Sequence, residues 1–194
     1  AAHALMPLQN RVQPTGEILA LPTRGLFMGN RGILHNGNKE LSTARWRHKA
    51  WVTCSLSFKN RHREVMRPGT YTELFFLDEA VAFAAGHRPC AECRRDAYHA
   101  FRAAAGITGS IKSFDADLHE QRAKAQPYRQ IRYRSDISAL PEGTFVLSAN
   151  GQAHLLRRDH LLSYRTEGYA EAIDRPGRGQ VTVLTPKPLV NALQ

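Results

Sequence analysis

The residues of this chain that are best suited to chemistry are two cysteines, Cys90 and Cys93, which stand in a Cys-x-x-Cys spacing. Two thiolates at this spacing form half of a zinc site or a redox pair, and the spacing also occurs by coincidence. A thioredoxin-like redox pair follows directly on a strand, whereas here a helical pattern and a Gly-His-Arg-Pro turn come before the cysteines. The spacing therefore favours zinc.

A tetrahedral zinc ion takes four nitrogen or sulfur ligands, so two more ligands must come from other parts of the chain. Cys54 is the only other cysteine, which leaves a histidine to supply the fourth ligand. His62 follows Cys54 closely and completes the predicted set, in which Cys54, His62, Cys90 and Cys93 hold zinc. Four other histidines remain alternatives for the fourth ligand: His35, His48, His99 and His119.

Two helical patterns flank the cysteine pair. Asp78 is suited to cap the first helix, and Gly86 is suited to end it in a left-handed conformation. Pro89 cannot continue a helix, so the backbone turns there and a second helix starts on the cysteines themselves. Cys54 lies in residues 51–59, where alternating apolar and polar side chains predict a β-strand.

Positive charge is concentrated in the first part of the chain. The sequence has 27 Lys and Arg against 17 Asp and Glu, a net charge of +10. Residues 1–140 carry +9 of it, and residues 141–194 carry +1. Such an excess suits contact with nucleic acid phosphates, although a solvated basic surface without any ligand has the same composition.

The basic residues near the predicted zinc site form the expected phosphate path, with DNA as the expected partner. Trp46 and Trp51 lie among basic residues of the same region. Aromatic rings beside arginines are suited to stacking on bases, but tryptophan is also a common core residue. The expected phosphate contacts are Lys59, Arg61, Arg63, Arg88, Arg94 and Arg95.

A third helix is predicted over residues 114–125, capped by Ser113. Asp115 and His119 are four residues apart and share one face of it, and Glu120 is next to His119. A carboxylate that orients an imidazole beside a divalent ion suits a metal-dependent nuclease. The same spacing is also found in surface helices with a stabilising charge pair.

The overall pattern predicts an α+β fold. A small mixed sheet, stapled by zinc and accompanied by two or three helices, is expected over residues 6–135 as a basic domain. From about residue 140 the pattern becomes β-rich, and Asn150-Gly151 between two alternating runs indicates a hairpin. Residues 136–194 are therefore predicted to form a small antiparallel β subdomain packed on the first.

One stretch resembles a known family. The segment FFLDEAVAFAAGHRPCAEC, residues 75–93, resembles the zinc-binding domain of Ada-type methylphosphotriester DNA repair proteins. The resemblance implies that Cys90 and Cys93 are zinc ligands within a small sheet with two helices. That family has two further cysteines upstream, one of which accepts a methyl group. Cys54 matches the acceptor in kind, and His62 lies near the place of the other cysteine.

These observations predict a zinc-containing nucleic-acid-binding protein that acts in DNA repair or processing. The alternatives are the nuclease built on His119, a DNA methylphosphotriester acceptor at Cys54, and a zinc-stapled protein-interaction module. Three cysteines do not make a disulfide framework, and the sequence has neither a long apolar run nor a signal-peptide pattern. We therefore expect a cytoplasmic protein without membrane association.

Overall fold

The computed structural model describes residues 6–125 and 127–194 and has an α+β fold, as predicted. A mixed sheet of six strands occupies the first part, in the order β2-β1-β5-β3-β4-β6. Two of its pairings, β1 with β5 and β4 with β6, are parallel, and the others are antiparallel. The strands are β1 (Gln9–Val12), β2 (Ile18–Ala20), β3 (Phe27–Asn30), β4 (Val52–Ser55), β5 (Leu74–Phe76) and β6 (Arg88–Pro89).

Three helices accompany this sheet: α1 (Glu79–Ala84), α2 (Arg95–Ala104) and α3 (Ile111–Arg122). The predicted cap of α1 is confirmed, because the Asp78 carboxylate accepts from the Val81 amide at 2.9 Å. Gly86 follows α1 with a φ of 90°, the left-handed conformation that glycine adopts without strain. Its missing side chain also leaves room for Arg122, since a Cβ at Gly86 would lie 2.7 Å from Arg122 Cδ.

The start of α3 differs from the prediction. Ser110, not Ser113, caps the helix, and its hydroxyl accepts from the Lys112 amide at 3.1 Å. The helix therefore begins three residues earlier and ends at Arg122. A short two-stranded ribbon of β7 (Ala123–Lys124) and β8 (Arg129–Gln130) follows it.

The second part of the chain forms a six-stranded antiparallel sheet in the order β13-β12-β11-β10-β14-β9. The predicted hairpin joins β10 to β11, and Gly151 in its turn has a φ of 83°. A last helix, α4 (Lys187–Asn191), follows the sheet. The strands are β9 (Tyr133–Asp136), β10 (Phe145–Leu147), β11 (Ala153–Leu156), β12 (His160–Arg165), β13 (Gly168–Asp174) and β14 (Gln180–Val183).

The two sheets share one hydrophobic core. Val12 and Phe76 of the first sheet belong to the same buried cluster as Phe145 and Leu155 of the second. Two tyrosines add polar links, which join Tyr164 to Gln13 at 2.8 Å and Tyr169 to Asp78 at 2.6 Å. The antiparallel sheet is therefore packed on the mixed sheet, and its first strand starts at Tyr133, just before the predicted boundary at residue 136.

Within the described residues, every helix is too short or too polar to cross a membrane.

Candidate metal centre and basic cleft

The parallel pairing of β4 with β6 brings Cys54 to the Cys-x-x-Cys turn. Thr53 pairs with Pro89, and the Cys90 amide donates to the Thr53 carbonyl at 3.0 Å. The next residue along each strand is a cysteine, so Cys54 and Cys90 lie side by side. The strand pairing thus joins cysteines that are far apart in the sequence.

Three thiols form one cluster. The Sγ atoms of Cys54, Cys90 and Cys93 all lie within 4.8 Å of one another. Sulfurs around a tetrahedral zinc ion lie about 3.8 Å apart when the zinc–sulfur bonds are about 2.3 Å, so a small contraction suffices to hold one ion. The amides of Ser55 and Glu92 donate to Cys93 Sγ and Cys90 Sγ, both at 3.4 Å. Such donors stabilise thiolates, so the residues present fit a metal ion.

The three thiols differ in pKa. A hydrogen bond from Cys54 lowers the pKa of Cys90 to about 5. The same bond, together with burial, raises the pKa of Cys54, and burial raises the pKa of Cys93. One of the three thiols, Cys90, is therefore ionised at neutral pH. Binding of a metal ion would displace the protons of the other two.

His62 is exposed and does not join the thiols within that distance, and neither does any other described histidine or carboxylate. Its loop does lie next to the cysteine turn, because Arg61 Nη1 is 3.5 Å from Glu92 Oε1. The structure thus brings together three of the four predicted ligands. His62 as the fourth ligand stays a prediction.

Most of the predicted phosphate contacts have carboxylate partners. Only Lys59 and Arg95 are exposed and form no ion pair among the described residues. The Arg94 side chain is also mostly covered, with an exposed fraction of 10%. The ion pairs join Arg61 to Glu92 at 3.5 Å, Arg63 to Glu73 at 2.8 Å and Arg94 to Glu79 at 2.9 Å.

The position of Arg88 contradicts its predicted contact with phosphate. Arg88 is buried and forms a bidentate ion pair with Asp115, with Nε–Oδ1 and Nη2–Oδ2 distances of 2.7 and 2.8 Å. A guanidinium held in this way inside the protein does not contact an external phosphate. The prediction of Arg88 on the phosphate path was wrong because β6, which carries it, is covered by α2 and α3.

A cleft of about 1520 Å³ opens in the surface. Three segments line it: residues 15–19, which lead into β2, residues 42–47, and a wall at the β7–β8 ribbon that consists of Ala125, residues 127–130 and Arg132. Gln130 holds the ribbon in place, because its side-chain amide donates to the Pro14 carbonyl at 2.7 Å and to the Ala84 carbonyl at 3.1 Å.

The cleft is strongly basic and partly aromatic. Trp46 and Tyr128 lie in its wall with their rings in edge contact, 5.8 Å between centroids. Glu17 is the only acidic residue of the lining. In the part of the chain that the structure describes, none of the lining arginines forms an ion pair. The arginines are Arg45, Arg47, Arg129 and Arg132.

The predicted pairing of His119 with a carboxylate does not form. Asp115 is taken by Arg88, and Glu120 is exposed on the outside of α3. His119 is instead buried against Trp46 and accepts from Arg122, with an Nη2–Nδ1 distance of 3.0 Å. The nuclease hypothesis stays a prediction, without support from this geometry.

Burial and the positive charge of Arg122 lower the pKa of His119 from its ordinary 6.5 to about 4. The unfolded chain therefore binds a proton between these pH values that the folded chain does not. This contribution to stability is complete above pH 6.5 and is lost as the pH falls through 4.

We expect urea unfolding to show a smaller loss of stability between pH 7 and pH 4.5 in His119→Gln than in the wild type. An identical pH dependence in both proteins would contradict the buried neutral imidazole.

Sequence reasoning missed the cleft as a unit. Residues 42–47 and 125–132 are far apart in the chain, and the segment around Tyr128 reads as a linker or an edge strand. The only available signal was the combination of arginine with aromatic residues in both segments.

Comparisons of this chain with protein-family models, with curated proteins and with solved structures find no match.

Proposed function

We propose that this chain is a zinc-containing nucleic-acid-binding protein that binds DNA and acts in DNA repair or processing. The observation that carries the proposal is the set of four arginines in the cleft that have no carboxylate partner among the described residues. An arginine that no carboxylate neutralises is available to a phosphate, to which its guanidinium can donate two parallel hydrogen bonds.

The shape and lining of the cleft support a polymer ligand. Its volume of about 1520 Å³ exceeds the roughly 300–1,000 Å³ of pockets for small molecules. Trp46 and Tyr128 provide aromatic surface among the arginines. Proteins that bind single-stranded nucleic acid combine a basic groove with such rings, on which bases stack. The cleft therefore replaces the predicted path along Arg61, Arg63 and Arg94 as the main interface.

Zinc is the proposed metal of the cysteine cluster. Thiolate ligands select soft ions, and a tetrahedral site with several cysteines is typical of zinc. Cys54, Cys90 and Cys93 would hold the ion, with His62 or a water molecule in the fourth position. The metal would join β4 to the turn before α2 and so stabilise the sheet that supports the cleft.

DNA binding is expected to depend strongly on salt. Four phosphate contacts predict that affinity falls between 50 and 200 mM salt by about 150-fold for a duplex and about 50-fold for a single strand, because bound counterions are released on binding. Fluorescence anisotropy with a labelled single-stranded oligonucleotide, repeated with a duplex of the same sequence, measures this effect. Arg129→Gln should weaken binding and lower the slope of log affinity against log salt by about 0.9 for the duplex and about 0.7 for the single strand.

Arg178→Gln is the matched control, since Arg178 is exposed and is not part of the cleft lining. It removes the same charge and should leave the salt slope unchanged. Equal effects of the two substitutions would reject the cleft as the interface. Binding to heparin without binding to DNA would reject DNA as the ligand and favour the protein-interaction module.

A further inference from the structure

Three arginines are buried together beneath the cleft. Arg31, Arg88 and Arg122 have exposed fractions of 0%, 5% and 1%. Asp115 pairs with Arg88. The guanidinium carbons of Arg31 and Arg122 instead lie 3.8 and 3.9 Å from the centroid of the Trp51 ring. Contact with an aromatic ring stabilises a cation but does not neutralise it.

Every hydrogen-bond acceptor of Arg122 is neutral. Its guanidinium donates to the carbonyls of Gly86 and Lys49, at 2.9 and 2.5 Å, and to His119 Nδ1. Burial and the neighbouring charge of Arg31 together lower the pKa of Arg122 to about 9. The group nevertheless stays protonated at neutral pH.

The hydrogen-bond acceptors of Arg31 are neutral as well, and one of its guanidinium nitrogens has no acceptor among the described residues. Nε donates to His87 Nε2 at 2.8 Å, and His87 can accept there because its Nδ1 donates to the Val52 carbonyl at 2.9 Å. Nη2 is 3.4 Å from the Ala85 carbonyl. Nη1 is buried and has no hydrogen-bond partner among the described residues.

The buried cluster thus holds three guanidinium groups and one carboxylate. An unpaired charge inside a protein is unfavourable in general, so an anion that enters this region is strongly favoured. Arg31 lies against the wall of the cleft. Its carbonyl accepts from the Arg47 amide at 2.8 Å, and the Trp51 ring that its guanidinium contacts lies 5.9 Å from the Trp46 ring, between centroids. Trp46 and Arg47 both line the cleft, as does Tyr128, whose hydroxyl opposes the lowering of the Arg31 pKa by burial. The cleft is therefore the route to Arg31.

We propose that the inner end of the cleft binds a single phosphate group, which Arg31 Nη1 and the Tyr128 hydroxyl hold by hydrogen bonds. Phosphate fits because it offers several acceptor oxygens and up to two negative charges, which the excess guanidinium charge of Arg31 and Arg122 balances. Tyr128 moves aside to admit the ligand and then donates to it. The phosphate belongs to the end of a nucleic acid strand, and for this identification of the molecule that carries it the inference rests on the proposed function.

Calorimetric titration with inorganic phosphate at constant ionic strength tests the site, with sodium chloride as the titration control. Tyr128→Phe removes only the hydroxyl and should weaken phosphate binding about three- to tenfold. Tyr133→Phe is the matched control, because the Tyr133 hydroxyl has no hydrogen-bond partner among the described residues and lies outside the cleft. Arg31→Lys keeps the charge but changes its geometry and should weaken binding further.

Short oligonucleotides with and without a 5′-phosphate identify the carrier, and the phosphorylated strand is expected to bind the wild type more tightly. Absence of phosphate binding, or equal binding by wild type and Tyr128→Phe, would overturn the site even if salt-dependent DNA binding is found. Phosphate binding that depends on Tyr128, in a protein that binds no oligonucleotide, would support the site and reject the proposed function.

Discussion

Cys90→Ser is expected to abolish zinc binding and to destabilise the protein. Wild-type protein is expected to carry one equivalent of zinc after dialysis, and the variant almost none, because the remaining thiols no longer complete the ligand set. Zinc adds about 4 kcal/mol to stability when its free concentration exceeds the dissociation constant about a thousandfold. For a chain of 194 residues this corresponds to a fall of about 8–16 °C in the unfolding midpoint.

Elemental analysis by mass spectrometry and thermal unfolding measure the two effects. Glu92→Gln is the control, because Glu92 lies inside the same turn and is exposed. Chelation of the wild type should lower its midpoint as far as the substitution does, and added zinc should restore it. A metal-free wild type that unfolds at the same temperature as the zinc-loaded protein would reject the metal site.

His62 is tested in the same preparation. The visible spectrum of cobalt-substituted protein reports the ligands of the ion directly. His62→Ala changes this spectrum if the imidazole is the fourth ligand, and leaves it unchanged if water occupies that position.

Asp115→Ala is expected to lower the free energy of unfolding by about 3–5 kcal/mol, as loss of one partner from a buried ion pair generally does. The substitution leaves Arg88 without its carboxylate, next to two other buried guanidinium groups. Urea unfolding at pH 7 measures the change. Replacing both partners by apolar residues, in Arg88→Met with Asp115→Leu, should recover most of the loss because no unpaired charge remains.

Glu120→Ala provides the comparison on the same helix. Glu120 is exposed and lies 3.5 Å from Lys49, an arrangement that contributes at most about 1 kcal/mol. Equal destabilisation by the two alanine substitutions would show that the buried pair of Arg88 with Asp115 contributes no more to stability than an exposed ion pair.

The sequence was sufficient for the fold class and for the three thiols that the structure brings together. Cys90 and Cys93 are constrained by their spacing, and Cys54 follows because no other cysteine exists. The Asp78 cap and the Asn150-Gly151 turn were also predictable, since both depend on residues close in the chain. The pairing of Thr53 with Pro89, which places Cys54 beside Cys90, could not be predicted because it joins distant segments.

The arginines show where sequence reasoning fails. Guanidinium groups are almost never fully buried without a partner, and Arg88 was predicted to contact phosphate at the surface. Arg88 is instead buried with Asp115 as its partner, whereas Arg31 and Arg122 are buried against the ring of Trp51. None of these partners is near in sequence to the arginine that it contacts. The cleft depends in the same way on the meeting of residues 42–47 with residues 127–132.

The parallel pairing of β4 with β6 also has a kinetic consequence. The three thiols meet only after the chain between residues 55 and 89 has closed into a loop, and closing a long loop precedes any gain from the contacts at its ends. Binding of an ion by the three thiols would therefore be a late event in folding. The pairings β10–β11, β11–β12 and β12–β13 each join strands that are neighbours in sequence, so this part of the antiparallel sheet can assemble at a rate that is independent of the metal.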